Sequence, residues 1–338
     1  MANPPSWVAS IGPCLIAGAL AVSCALMYAL GADGSLGVDF SGLGFADETF
    51  AGLPASDPGM LTSLAVVLDI RSAICWILML LVSVLMQSAT NTFNDYQDFK
   101  SGLDTTETVV DTTDASIIYN QINPRDALVF GLVLLGAAAV LGVVVVLLTS
   151  WLILVLGLIA AAAVLLYSLG PKPISSLPLG ELVSGVVMGG IITCATFYAV
   201  AGSLAPIVLV VAAIPTIAIA QIMFTNNTCD ISRDKKVGRK TLPGLIGLKV
   251  ARPINVVLCL LTFVLLLVVL YLPGLYFGII AVIAGFALCF SKIDYLLKAP
   301  YDLGSRPMTM TMVISYTVWL TITAVVSLLL GGILSVVL

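Results

Sequence analysis

The feature that most constrains this chain is the length of its uncharged apolar runs. A helix rises 1.5 Å per residue, so crossing about 30 Å of hydrocarbon takes roughly 20 residues. Runs of that kind lie near 7–30, 72–93, 179–202, 206–226 and 311–335. The run 127–169 is about twice as long and is interrupted only at Thr149 and Ser150, which predicts a helical hairpin. A second double run, 254–290, breaks at Leu272, Pro273 and Gly274, where a Pro-Gly pair stops a helix. The expectation is an all-α polytopic membrane protein with nine transmembrane helices forming one membrane-embedded domain over residues 1–338. No basic segment precedes the first run, which is therefore read as a retained helix rather than a cleaved signal. Charged residues make up 9% of the chain, too few to cover a water-facing surface.

Charge placement sets the orientation, because short cytoplasmic loops carry the Lys and Arg excess. With the amino terminus inside, the inside loops are 94–126, 170–178, 227–253 and 291–310. They hold every basic residue except Arg71. The outside loop 31–70 carries Asp33, Asp39, Asp47, Glu48, Asp57 and Asp69 without recognisable ligand spacing, and reads as an acidic solvated loop. A net charge of −4 offers no basic footprint for nucleic acid. The absence of histidine excludes His-ligated metals and imidazole catalysis. The seven scattered cysteines, with no CxxC pair, read as small core residues.

Two inside loops are acidic where they leave the membrane. Gln87, Asn91, Asn94, Asp95 and Asp98 recur at three- and four-residue steps and share one helix face. The sixth span ends in Asn226-Asn227-Thr228-Cys229-Asp230-Ile231-Ser232-Arg233-Asp234. Asn-x-x-x-Asp occurs in both, at Asn94/Asp98 and Asn226/Asp230, after spans two and six, as expected if a four-helix unit (spans 1–4 and 5–8) had been duplicated. Facing carboxylate clusters need a cation between them, and oxygen-rich clusters select Mg²⁺ or Mn²⁺ bridged to phosphates. Lys172, Arg233, Lys235, Lys236, Arg239 and Lys240 stand ready for a departing diphosphate. A diphosphate site at the mouth of an apolar bundle predicts a substrate with a polar head and a greasy tail, such as an isoprenoid diphosphate.

At these residues the chain resembles the UbiA superfamily of membrane prenyltransferases, and within it the 1,4-dihydroxy-2-naphthoate prenyltransferases of menaquinone synthesis. The stretches that carry the likeness are Asn94–Thr105 (NDYQDFKSGLDT), Tyr167–Pro173 (YSLGPKP) with Leu179-Gly180-Glu181, Asn226–Asp234 (NNTCDISRD) and Gly238–Leu242 (GRKTL). The resemblance implies a helical bundle around a central cavity in a multi-pass bacterial cell-membrane protein, its active site facing the cytoplasm. It implies transfer of a polyprenyl group to an aromatic acceptor, with Mg²⁺ held between the acidic motifs. By position, Asn94, Asp98, Asp104, Asp230 and Asp234 match the metal set, and Asp95, Tyr167 and Lys172 the catalytic residues. Asn91, Lys172, Glu181, Asn227, Arg239 and Lys240 match the substrate-binding residues. Three departures stand out: Cys229 where that branch has Arg, Glu107, Asp111 and Asp114 where it has basic residues, and Asn3-Pro4-Pro5 in place of an Arg-Pro. Competing readings are another acceptor (4-hydroxybenzoate, a porphyrin or a glycerol phosphate), a transporter, and a noncatalytic binder of isoprenoid diphosphates.

Overall fold

The computed structural model describes residues 7–31, 69–105, 116–202, 204, 206–271 and 275–337. Every regular element among them is helical, and nine helices are long and apolar enough to cross a membrane. They are α1 (Val8–Gly31), α2 (Ile70–Ser101), α3 (Pro124–Leu148), α4 (Trp151–Ser168), α5 (Gly180–Ala201), α6 (Pro206–Cys229), α7 (Leu248–Leu270), α8 (Ile279–Lys298) and α9 (Arg306–Val337).

The breaks follow local chemistry. Asp69 accepts a hydrogen bond from the Ser72 amide (2.7 Å) and starts α2. Asn123 does the same for the Arg125 amide at the start of α3, with Pro124 in the first turn. Thr149 ends α3 and Ser150 caps α4, accepting from the Leu152 amide at 3.2 Å, so this pair makes the expected hairpin. The Leu272-Pro273-Gly274 break, most of the 31–70 loop, Glu107, Asp111, Asp114 and Asn3-Pro4-Pro5 lie outside the described residues. α2 runs eight residues past its expected end at 93, to Ser101. Its polar residues continue the helix through i,i+4 bonds: Gln87 Nε2 donates to Asn91 Oδ1 (3.1 Å), and Asn94 Nδ2 to Asp98 Oδ2 (3.0 Å). Gly102, at φ 74°, then supplies the left-handed residue that stops it.

The main core lies where α1, α5 to α9 meet, built on Ile16, Leu20, Phe197, Val211, Phe263, Leu266, Tyr316 and Leu328. α2 packs chiefly on α3, and α1 and α8 on α9. Val129, Val140, Leu147, Leu158, Ile159 and Leu166 on α3 and α4 stay exposed, as lipid-facing side chains do. α5 contains a π-helical stretch, Gly185–Ile191, lying against α6 near Pro215, which sits inside that continuous helix. At Gly189 a Cβ would come within 2.4 Å of the Thr216 backbone, so only glycine permits this approach. The contact brings Val187 and Met188 of α5 beside Ile219 and Met223 of α6 on one cavity wall.

Candidate active site

A cavity of about 220 Å³ opens among the ends of α2, α4, α5, α6 and α9. Away from the charged end its lining is mainly apolar, with Ala163, Val164, Val183, Val187, Met188, Ile219, Met223 and Ile314, joined by Gln87, Thr90 and Ser184. Its other end carries Asn91, Asn94, Asp95, Asp98, Asp104, Asn226, Asn227 and Asp230, together with Arg233, Arg239 and Arg306. The tips of α2 and α6 therefore converge.

Each acidic motif is shaped by a helix end. Beyond Gly102 the amides of Leu103 and Asp104 both donate to the Asp98 carbonyl (3.0 and 3.2 Å), turning Asp104 back toward the cavity. Asp230 follows α6 with φ −93° and ψ 5°, and the chain re-enters a short helix, Ile231–Lys236. The Asp234 amide donates to the Asp230 carbonyl (2.9 Å), so Asp230, Arg233 and Asp234 fall on one side of a single turn. Past Gly238 the chain is extended and alternates: Arg239 points in, Lys240 is exposed, and Thr241 is buried. Thr241 Oγ1 donates to Asp234 Oδ2 at 3.1 Å.

Three arginines thread the carboxylates. Arg233 donates to Asp104 Oδ1 (2.7 Å), to the Leu103 carbonyl (3.3 Å) and to Asp230 Oδ1 (3.5 Å). Arg239 donates to Asp98 Oδ1 (3.2 Å) and the Ser175 carbonyl (3.2 Å), with its Nε 3.8 Å from Asp234 Oδ1. Arg306 donates to Asn226 Oδ1 (2.8 Å), and its Nε lies 3.2 Å from Asp230 Oδ2. Burial pushes the Asp230 carboxyl up to about 7 against the opposing pull of Arg233. Burial likewise raises Asp104, opposed by Arg233, and Asp234, opposed by Arg239. For Arg239 burial works against the charge, and the Asp98 and Asp234 carboxylates more than offset it.

Among the described residues no three carboxylates come close enough to chelate an ion unaided, because guanidinium groups stand between them. The donor chemistry nevertheless suits a hard divalent cation: the lining offers carboxylate and amide oxygens and no thiolate. Glu181 lies just behind the lining. Its Oε1 accepts from Asn227 Nδ2 (2.8 Å) and the Leu242 amide (3.3 Å), while Oε2 is buried with no hydrogen-bond partner. Tyr167 lines the cavity, and its buried hydroxyl has no hydrogen-bond partner either.

Of the expected site residues, Asn91, Asn94, Asp95, Asp98, Asp104, Tyr167, Asn227, Asp230 and Arg239 line one cavity. Asp234 and Glu181 pack directly behind it, each holding or held by a lining residue. Lys172 and Lys240 are exposed and outside the lining. The residue that sequence reasoning passed over is Arg306, which bonds a partner 80 positions away.

The UbiA prenyltransferase family pattern matches residues 58–310. A 1,4-dihydroxy-2-naphthoate octaprenyltransferase of Bacillus subtilis (strain 168) is 37% identical over 171 residues, 51% of this chain and 54% of that protein. The chain thus spans about half the length of the curated relatives it matches. A UbiA homolog from Aeropyrum pernix K1, in its apo form, shares the fold with a TM-score of 0.55 at 18% identity, over 74% of this chain and 88% of that one. A UbiA homolog from Archaeoglobus fulgidus bound to DMAPP and Mg²⁺ does so with a TM-score of 0.51 at 13% identity, over 100% and 98%. With most of its length inside the matched region and the same helical fold, the chain belongs to the UbiA prenyltransferase family.

Proposed function

We propose that the protein transfers a polyprenyl group from an isoprenoid diphosphate to 1,4-dihydroxy-2-naphthoate, in menaquinone biosynthesis, with Mg²⁺ or Mn²⁺ as cofactor. The reaction runs at the cytoplasmic face of a bacterial membrane, the side on which the basic loops lie. The observation that carries this reading is a single cavity with a carboxylate- and arginine-lined head and an apolar body, matching a diphosphate joined to a hydrocarbon. Family membership and the naphthoate relative support the reaction class, and the archaeal homolog bound to DMAPP and Mg²⁺ supports the ligand pair.

Asn94, Asp98, Asp104, Asp230 and Asp234 would hold the cation, which supplies neutralisation of charge on the leaving diphosphate. Arg239 and Arg233 bind phosphate oxygens from within, Lys172 and Lys240 from the rim, and Asn91 and Asn227 orient the head. Tyr167 presents its ring to the allylic cation, while the apolar wall formed by Val164, Val183, Val187 and Met188 excludes the water that would capture it. Glu181 positions the acceptor, and Asp95 takes the proton the acceptor gives up. The matching Asn-x-x-x-Asp ends of α2 and α6 reflect duplication of a four-helix unit, with α9 added. A transporter would place its polar residues near the midplane; here they line one end of the bundle.

The test is Mg²⁺-dependent transfer of a labelled prenyl chain to 1,4-dihydroxy-2-naphthoate by membranes carrying Asp98→Asn or Asp230→Asn. Each substitution should abolish turnover, and undiminished turnover in both would overturn the site. Running 4-hydroxybenzoate, a porphyrin and a glycerol phosphate as parallel acceptors tests the acceptor separately.

A further inference from the structure

Arg306 is the first residue of α9, where the helix dipole disfavours a positive charge. Its side chain is 11% exposed, and it faces Asp230, whose side chain is 8% exposed. Such a placement holds only if nearby groups fix the guanidinium, and the corner before α9 is built to do so. Tyr301 adopts φ 54°, a left-handed conformation that bulky residues avoid, yet it is buried, and its hydroxyl donates to the Leu296 carbonyl at 2.8 Å. It packs beside Cys229 and Ala299, tying the corner to the end of α6. Asp302 and Ser305 then bond each other reciprocally, Ser305 N to Asp302 Oδ1 (2.7 Å) and Asp302 N to Ser305 Oγ (3.1 Å), fixing the start of α9. Arg306 follows directly on this corner, with its guanidinium against Asp230.

We propose that Arg306 exchanges anions: it neutralises Asp230 before substrate arrives, and passes to the diphosphate when a divalent cation takes that carboxylate. This rests on the reading of the site given above. A dication on the Asp230 carboxylate neutralises much of its charge and repels the guanidinium, so the Arg306 pair weakens. A hydrogen bond to the neutral amide oxygen of Asn226 keeps the guanidinium on the cavity lining, within reach of a diphosphate bound there. The exchange keeps the buried charges compensated at both stages. It also makes Arg306 a competitor of the cation and an ally of the diphosphate.

Those opposite roles give opposite signs in one experiment. The full chain in detergent is titrated calorimetrically with MgCl₂ alone, and with inorganic pyrophosphate in saturating Mg²⁺. In Arg306→Gln, Mg²⁺ alone should bind about tenfold tighter and pyrophosphate about tenfold or more weaker, the size expected for one charge-assisted contact. Arg306→Lys retains the charge but cannot span both partners, so it should shift both affinities in the same senses by less. Thermal unfolding confirms that each variant is folded, and Arg306→Lys carries the test if Arg306→Gln is not. Weakening of both ligands would assign Arg306 a merely structural role, and unchanged Mg²⁺ affinity would remove the exchange; either overturns the inference while the site stands. A wild-type chain that binds neither ligand would overturn the site reading and this inference together.

Discussion

Replacing Arg239 by glutamine should destabilise the ligand-free protein more than removing either of its carboxylate partners, and Mg²⁺ should reverse much of the loss. The guanidinium lies 3.2 Å from Asp98 Oδ1 and 3.8 Å from Asp234 Oδ1, with side-chain exposures of 14%, 15% and 2% for the three residues. At an effective dielectric of about 20 the two attractions amount to about 5 and about 4 kcal/mol. Desolvation of three buried charges offsets much of that, and removing one partner of a buried pair leaves a net cost of about 3–5 kcal/mol. Asp98→Asn should cost less, about 1–3 kcal/mol, because the amide oxygen still accepts from Arg239, which keeps Asp234. The double variant should then fall short of the sum of the single costs by about 1–3 kcal/mol, since part of the cost of losing Arg239 is the orphaned Asp98. Unfolding free energies in mixed detergent micelles, with and without Mg²⁺, measure all four corners of the cycle. Additivity within about 0.5 kcal/mol would refute the pairing, and equal stabilisation of wild type and Arg239→Gln by Mg²⁺ would refute the expectation that the cation compensates the carboxylates left unpaired when Arg239 is lost.

Three further outcomes follow from the residues packed behind the cavity lining. Gly189→Val should cost at least about 1–3 kcal/mol by forcing α5 off α6, seen as a lower unfolding midpoint in detergent; a variant as stable as wild type would mean the helices are not in backbone contact. Glu181→Gln keeps an oxygen for the Asn227 and Leu242 donors and should leave stability near wild type while raising KM for the acceptor and sparing KM for the diphosphate, as steady-state kinetics would show. Glu181→Leu, by stranding the buried Asn227 amide, should lose about 1–3 kcal/mol in the same unfolding assay, with a smaller loss from the part-buried Leu242 amide.

The helices were legible because their determinants are local. Thr149 and Ser150 end one run and cap the next through bonds to neighbours three or fewer positions away, and the polar face of α2 repeats at the helical period. The acidic residues were legible for the same reason, since Asn94 with Asp98 and Asn226 with Asp230 each sit one turn apart. What could not be read was the turn that brings Asp104 back to the cavity, the π-helical stretch of α5, and the pairing of Arg306 with groups on α6. The last two depend on contacts between distant segments, for which no local period exists; the Asp104 turn is itself a local Gly102 cap, and only its pairing with Arg233 is distant.

The basic residues show where the reading by charge count stops. The orientation argument weighs all the inside lysines and arginines equally, and the diphosphate argument took Lys172 and Lys240 together with Arg233 and Arg239. The structure separates them by chemistry: the cations lining the cavity are Arg233, Arg239 and Arg306, and no lysine lines it, Lys172 and Lys240 included. A planar guanidinium keeps its charge when buried and can serve two acceptors at once, as Arg233 does with Asp104 and Asp230, whereas an ammonium is more strongly hydrated and stays at the water boundary. Every cation lining the cavity is an arginine, but Arg125 and Arg252 stay outside it, so residue type narrows the choice and position completes it. Arg306 sits in a first helical turn, where a cation is unfavourable, because Asp230 and Asn226 face it there, and that placement is visible only in the structure.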